Sequence, residues 1–185
     1  MRKWLVVFLA LCFTAPAFAA EVGGVKLGDK VAVGGQDLVL NGAGIRTKAI
    51  FKVYVGSLYV PAKVPDLAGV LAKGPRRVQM NLLRNLSADD LVNALVDGLK
   101  DANTAEEAAA VKAQTDQMVT IMKAFGEVKE GNVVTLDFVD GATLIGFNGA
   151  AKGTIAGEPF NRALMKIWVG DKPVQADLKK AMLGG

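Results

Sequence analysis

The sequence predicts an α+β domain in which a largely antiparallel sheet carries a layer of helices on one face. Two observations carry this. Strand-like and helix-like stretches follow in the order β, short α, β, α, α, β-meander, α, α, with no alternating βαβ units. The apolar period also switches from helical between residues 87 and 125 to short runs separated by turn pairs from 132 to 156. At 185 residues, with no Ser/Pro-rich linker and no repeat, the chain suits one domain behind a leader.

The leader comes first. Met1-Arg2-Lys3 is basic, Trp4 to Phe13 is apolar, and Ala17-Phe18-Ala19 offers small residues at signal-peptidase spacing. Spanning a bilayer takes about 20 apolar residues, so this run reads as a secretory signal rather than an anchor. The expectation is a signal peptide over 1–19, a domain over 20–185, and a periplasmic or secreted protein with no membrane span after cleavage.

The lone cysteine, Cys12, would leave with that leader, and the chain has no histidine. This excludes an imidazole base and, after export, a thiol nucleophile and sulfur metal ligands. No cofactor or metal is expected. Net charge is only +4, and the basic pair Arg76-Arg77 stands alone, so nucleic acid is not an expected partner.

From Val22 the chain is punctuated by Gly23-Gly24, Gly28-Asp29 and Gly34-Gly35. These separate short strands over Val25–Leu27, Lys30–Val33 and Asp37–Leu40. Gly42, Gly44 and Arg46 then lead into Ile50 to Val60, a β-branched and aromatic run that reads as a buried or half-buried strand. The glycines allow a bend or a close approach to a neighbour. A cation beside such a strand needs an anion or acceptor, which makes Arg46 a candidate for the wall of an anion-recognising pocket. The bland alternative is a guanidinium paired with a surface carboxylate. Lys48 and Lys52, at the parity of Arg46, would sit either at a pocket mouth or along an exposed edge.

Pro61 and Pro65 end that strand, and Asp66 can cap a short helix reaching Lys73. Arg76 to Leu83 reads as the next strand. Ser87 with Asp89 and Asp90 opens a helix to about 101 whose stripe is Leu91, Leu95 and Leu99. Thr104 opens a second, over 105–125, with Ala108, Val111, Met118, Ile121, Met122 and Phe125 inward. Met118, Met122 and Met165 read as core filler. Three strands follow, Asn132–Val139, Thr143–Asn148 and Lys152–Ala156, turned by Asp140-Gly141 and Asn148-Gly149. Glu158-Pro159 starts a helix with Phe160, Leu164, Ile167 and Trp168, stopped by Gly170. Val174–Leu183 closes the chain as a short helix.

Gly42-Ala43-Gly44-Ile45-Arg46 followed by Val53-Tyr54-Val55-Gly56-Ser57-Leu58-Tyr59-Val60 resembles the signature of the chalcone isomerase family. The resemblance is nearest to its bacterial chalcone isomerase-like proteins and plant fatty-acid-binding members, and extends diffusely from about Val22 to Leu183. It implies the chalcone isomerase fold. In the family an arginine holds the anionic substrate, while a threonine, a tyrosine, an asparagine and a second threonine organise water and substrate. The arginine falls on Arg46 and the first threonine on Tyr54. The tyrosine, just past the helix start Leu86-Ser87, falls on Leu91, the asparagine on Gly98, and the last threonine, ahead of Gly170-Asp171, near Ile167. Of the five, the arginine alone keeps its identity.

Leucine, glycine and isoleucine side chains donate no hydrogen bonds, so they cannot steady an oxyanion. The resemblance therefore implies a non-catalytic protein in which Arg46 and Tyr54 hold the carboxylate of a fatty acid or similar apolar anion. The alternatives are a chalcone isomerase-type intramolecular lyase acting on an anionic substrate through Arg46, and an accessory protein with no ligand. One geometric condition applies. In a single straight strand Arg46 and Tyr54 would stand about 26 Å apart at roughly 3.3 Å per residue, so a shared carboxylate requires a bend between Thr47 and Ile50.

Overall fold

The computed structural model describes residues 18–72 and 74–185. The leader therefore lies outside the described residues up to position 17. Its last two positions, Phe18 and Ala19, already belong to β1 (Phe18–Val22), which pairs with β2 (Val25–Gly28). Lys73, the expected end of the first helix, is also outside.

The main sheet is a curled antiparallel meander of seven strands in sequence order. These are β3 (Lys30–Val33), β4 (Gln36–Lys48), β5 (Phe51–Val60), β6 (Arg76–Leu82), β7 (Val133–Val139), β8 (Ala142–Phe147) and β9 (Ala150–Ala156). The turns after β7 and β8 are those the sequence announces. Asp140 and Asn148 take φ of 49° and 50° and the glycines after them 78° and 79°, the left-handed pair that favours Asp-Gly and Asn-Gly in hairpins.

One correction concerns residues 42–60, read from sequence as leading into a single strand. They form two arms of a hairpin, with register Lys48↔Phe51 across Ala49-Ile50. Ala49 adopts φ 54° without being glycine. Arg46 pairs directly with Tyr54, and a register shift between Arg46 and Thr47 leaves Val53 bulged.

The helices are α1 (Leu67–Val70), α2 (Ala88–Ala102), α3 (Ala105–Ala110), α4 (Lys112–Lys123), α5 (Glu158–Val169) and α6 (Ala176–Met182). Asp66 caps α1, accepting from Gly69 N at 2.8 Å, but the helix stops at Val70, short of the expected 73. Ser87 and Thr104 each close a reciprocal capping box. The helix expected over 105–125 is instead two, broken at Val111 (φ −110°, ψ 15°), whose side chain is drawn into the core. The helical layer also centres on α5, which has eight buried residues, rather than mainly on the two helices expected.

Strand alternation divides β5 between two cores. Tyr54, Leu58 and Val60 face the helical layer with Val78, Leu136, Met118, Leu164 and Trp168. Val55 and Tyr59 face the β1–β2 hairpin with Leu27, Leu38 and Leu40. A strand covered on both faces reads as an unbroken apolar run, as this one does. Alternation also separates Arg76 from Arg77. Arg77 makes a two-pronged ion pair with its cross-strand partner Asp137 at 2.5 and 2.6 Å. Arg76 is buried, with Nε donating to Asn161 of α5 at 2.7 Å and its guanidinium 4.0 Å from the centre of the Phe138 ring.

Candidate ligand-binding site

Gly42, Gly44 and Arg46 lie on the helix-facing side of β4. At Gly42 a Cβ would stand 2.1 Å from the carbonyl oxygen of Ala181, and at Gly44 2.8 Å from the Ala181 methyl. The glycines thus make a shelf on which α6 rests against the backbone. Asn41 fixes the far end of that helix, its amide donating to Met182 O at 2.8 Å and to Val64 O at 3.1 Å.

At the near end Gln175, just before α6, does the work of a missing neighbouring strand. Its Nε2 donates to Ile45 O at 3.1 Å, and its Oε1 accepts from Thr47 N at 2.9 Å. The same Oε1 accepts from Arg46 Nη1 at 3.2 Å, and Nη1 also donates to Thr47 O. No carboxylate among the described residues pairs with Arg46. The bland reading of this residue therefore fails. Its Nε and Nη2 remain for another acceptor.

Tyr54 stands beside it. Its hydroxyl oxygen accepts from Trp168 Nε1 at 3.0 Å. A phenol carries one donor and two acceptor positions, so the O–H is left free to donate. Burial raises the Tyr54 pKa above its ordinary value near 10, opposed less strongly by the Trp168 bond and the nearby Arg46 charge. At neutral pH the group is a neutral donor, not a base.

Both residues border a cavity of about 380 Å³ between the sheet and helices α2, α4 and α5. Its floor is apolar and buried: Leu82, Leu95, Met118, Met122, Leu136 and Ile167. Its rim is charged in two sectors, exposed Lys48 and Lys172 near half-buried Arg46, and exposed Asp97 and Asp101 on α2. An anion is favoured on the first sector and repelled by the second. A wider depression of about 550 Å³ at the start of α2, between Asn85 and Glu127, is open to solvent. There Ser87 and Asp90 already satisfy each other.

The five positions singled out from the sequence, Arg46, Tyr54, Leu91, Gly98 and Ile167, all line this one cavity. Gly98 and Ile167 abut, since a Cβ on Gly98 would meet Ile167 Cγ2 at 3.1 Å. Lys48 reaches the rim, but Lys52 does not line the cavity; the turn at Ala49-Ile50 breaks the parity that linked them. Ser57 is buried and donates weakly to Gln79 O at 3.5 Å. Trp168 and Gln175 were missed as site residues. Trp168 reads as one more apolar residue on a helical stripe, and Gln175 as an ordinary loop residue ahead of a helix.

A curled antiparallel sheet closed by helices over an apolar cavity is the chalcone isomerase-like fold. Residues 19–184 match the family model described as chalcone isomerase-like, and the chain belongs to that family. Among solved structures it is similar to a fatty-acid binding protein of Arabidopsis thaliana, with a TM-score of 0.68 over 86% of this chain and 92% of that one. Identity there is 12%, so the likeness is one of fold. No curated protein matches the chain in sequence.

Proposed function

We propose that this protein binds a fatty acid or similar apolar carboxylate without turning it over. The observation that carries the reading is the side-by-side placement of Arg46 and Tyr54 where the charged rim meets an apolar floor. Arg46 offers unused guanidinium donors and Tyr54 a free O–H, both suited to a carboxylate. The cavity falls within the roughly 300–1,000 Å³ typical of small-molecule sites. The fatty-acid binding protein of similar fold supports the same ligand class. An isomerase reading needs donors placed where charge develops, and Leu91, Gly98 and Ile167 supply none from their side chains.

Lipid extraction of the purified protein followed by mass spectrometry should recover an apolar acid. Arg46→Ala should then weaken binding about tenfold to a hundredfold, since hydrogen bonds to charged groups contribute roughly 1.5–3 kcal/mol. Tyr54→Phe should cost less, about 0.5–1.5 kcal/mol. Equal affinity in wild type and Arg46→Ala would sink the proposal. Chalcone cyclisation well above the spontaneous rate, abolished by Arg46→Ala, would favour the isomerase instead.

Export to the periplasm or beyond belongs to the same proposal. The basic start, the apolar run and Ala17-Phe18-Ala19 support it. The mass of the exported protein should correspond to a chain beginning near Ala20, and a form retaining Met1 to Phe18 would defeat it.

A further inference from the structure

We infer that the tip of the β4–β5 hairpin docks on an anionic lipid bilayer, bringing the rim of the cavity against the membrane. The tip is the most conspicuous apolar exposure among the described residues. Ile50 is 85% exposed and Phe51 53%, while the next large hydrophobics, Val96 and Leu144, reach only 39% and 37%. Ala49 holds the turn in a left-handed conformation that costs an alanine energy, and so projects Ile50 beyond the sheet.

Cations surround these two side chains. Lys48 and Lys52 are exposed on the two arms, and Arg84, after β6, lays its guanidinium 4.6 Å from the centre of the Phe51 ring. Asp90 of α2 is close enough to feel Lys48 and Arg84, but its carboxylate is engaged by the backbone N–H and hydroxyl of Ser87. Apolar side chains at a tip, ringed by Lys and Arg, match the layering of an anionic membrane, with phosphates outside and acyl chains beneath. A protein partner fits less well. Stable protein interfaces bury about 800 Å² on each side, far more than two side chains on a two-residue turn present.

Position gives the docking its consequence. Lys48 belongs both to the tip and to the cavity rim, and Arg46 lies two residues further along the same strand. A docked tip therefore sets the rim at headgroup depth, where the carboxylate of a membrane-borne acid resides. That consequence rests on the ligand reading above. The docking itself does not, and it can be measured on delipidated protein.

The test places an environment-sensitive nitrobenzoxadiazole label on Ile50→Cys in full-length protein carrying Cys12→Ser. A second labelled protein, Asp116→Cys on exposed α4, serves for comparison. Vesicles of phosphatidylglycerol mixed equally with phosphatidylcholine should shift the emission of the label at 50 to the blue and raise it several-fold. Vesicles of phosphatidylcholine alone should do far less, and the label at 116 should not respond. Lys52→Glu with Arg84→Glu should lower the apparent vesicle affinity at least tenfold. A label at 50 that stays water-like with both vesicles overturns the inference. So does an equal response at 50 and 116, which would assign binding to the leader or another face. Burial of the label against a co-purifying protein, with no vesicle response, overturns it in favour of a protein partner.

Discussion

The Tyr54 hydroxyl accepts a hydrogen bond from Trp168 Nε1 at 3.0 Å, tying the second arm of the β4–β5 hairpin to the last turn of α5. This bond spans the cavity wall, so it couples the fold to the site. Tyr54→Phe would leave the indole N–H, on a residue only 4% exposed, without its acceptor. An orphaned buried donor costs about 1–3 kcal/mol, so urea denaturation should show a loss of that order. In a Trp4→Phe background the emission of Trp168 should also change in this variant, and again when an apolar carboxylate fills the cavity. An unaltered midpoint and spectrum would show that the bond contributes nothing in solution.

The tyrosines give a second, independent measurement. Tyr54 and Tyr59 are the two in the chain, and burial raises both pKa values. Phenolate absorbance of the folded protein should therefore appear entirely above the ordinary value near 10, and move back to it in denaturant. Because the folded state holds these protons more tightly, their contribution to stability is complete below pH 10 and is lost as pH rises through the folded values. Arg76 acts with the opposite sign. Burial lowers its pKa to about 10, so its desolvation cost is relieved as pH rises from there toward the unfolded value. Comparing wild type with Tyr54→Phe isolates the Tyr54 share.

How far this could be read from sequence depends on whether the cause is local. Asn148-Gly149 marks its own turn, and Ser87 with Asp90 marks its own helix start. Ala49-Ile50 carries no turn chemistry, and the hairpin there is imposed by packing. β5 is hydrogen-bonded between β4 and β6, and α6 lies across the face of both β4 and β5. Val111 likewise breaks a helix without glycine or proline because its side chain is drawn inward. The cavity-lining positions could be named from the family resemblance. The support given to Arg46 by Gln175, 129 positions away in the chain, left no mark in either local stretch.

Gly42→Ala should test the shelf beneath α6. The new methyl would lie 2.1 Å from a backbone oxygen, which no rotamer change can relieve. Overpacking of this kind costs typically 1–3 kcal/mol, occasionally more. Since Gln175 joins α6 to Arg46, displacement of the helix should also weaken carboxylate binding. A variant as stable as wild type would mean that α6 does not rest on the β4 backbone at Gly42.

Arg76 and Asn161 offer a test of buried polarity. Arg76 Nη2 is buried without a hydrogen-bond partner, while Asn161 accepts from Arg76 Nε and donates to Thr143 Oγ1 at 3.2 Å. Arg76→Met alone strands the Asn161 oxygen and should destabilise by about 1–3 kcal/mol. Adding Asn161→Leu removes the stranded oxygen but takes a donor from the buried Thr143 hydroxyl. It should therefore recover only part of that loss, by an apolar replacement of a buried charge that is often neutral or better. A double-mutant cycle reads the coupling directly. Strict additivity would show the two side chains act independently.

Rim and floor should control different properties of the ligand. With the carboxylate on Arg46, as proposed, Arg46→Ala should lower affinity for acids of every chain length by a similar factor. Met118 and Met122, 1% and 5% exposed, line the floor from α4, a different element from the strand that carries Arg46. Met122→Ala removes the terminal atoms of a flexible side chain and deepens the cavity beyond its present 380 Å³ or so. A large-to-small change here should cost about 2–5 kcal/mol without ligand, less when a longer chain occupies the space. Binding profiled across a series of saturated acids should then move toward longer chains in Met122→Ala and keep its shape in Arg46→Ala. Leu136→Phe should move it toward shorter ones. If Met122→Ala leaves the length profile unchanged, the tail does not reach α4. If Arg46→Ala shifts the profile instead, the carboxylate is held elsewhere, and the orientation with head at the rim and tail on the floor is wrong.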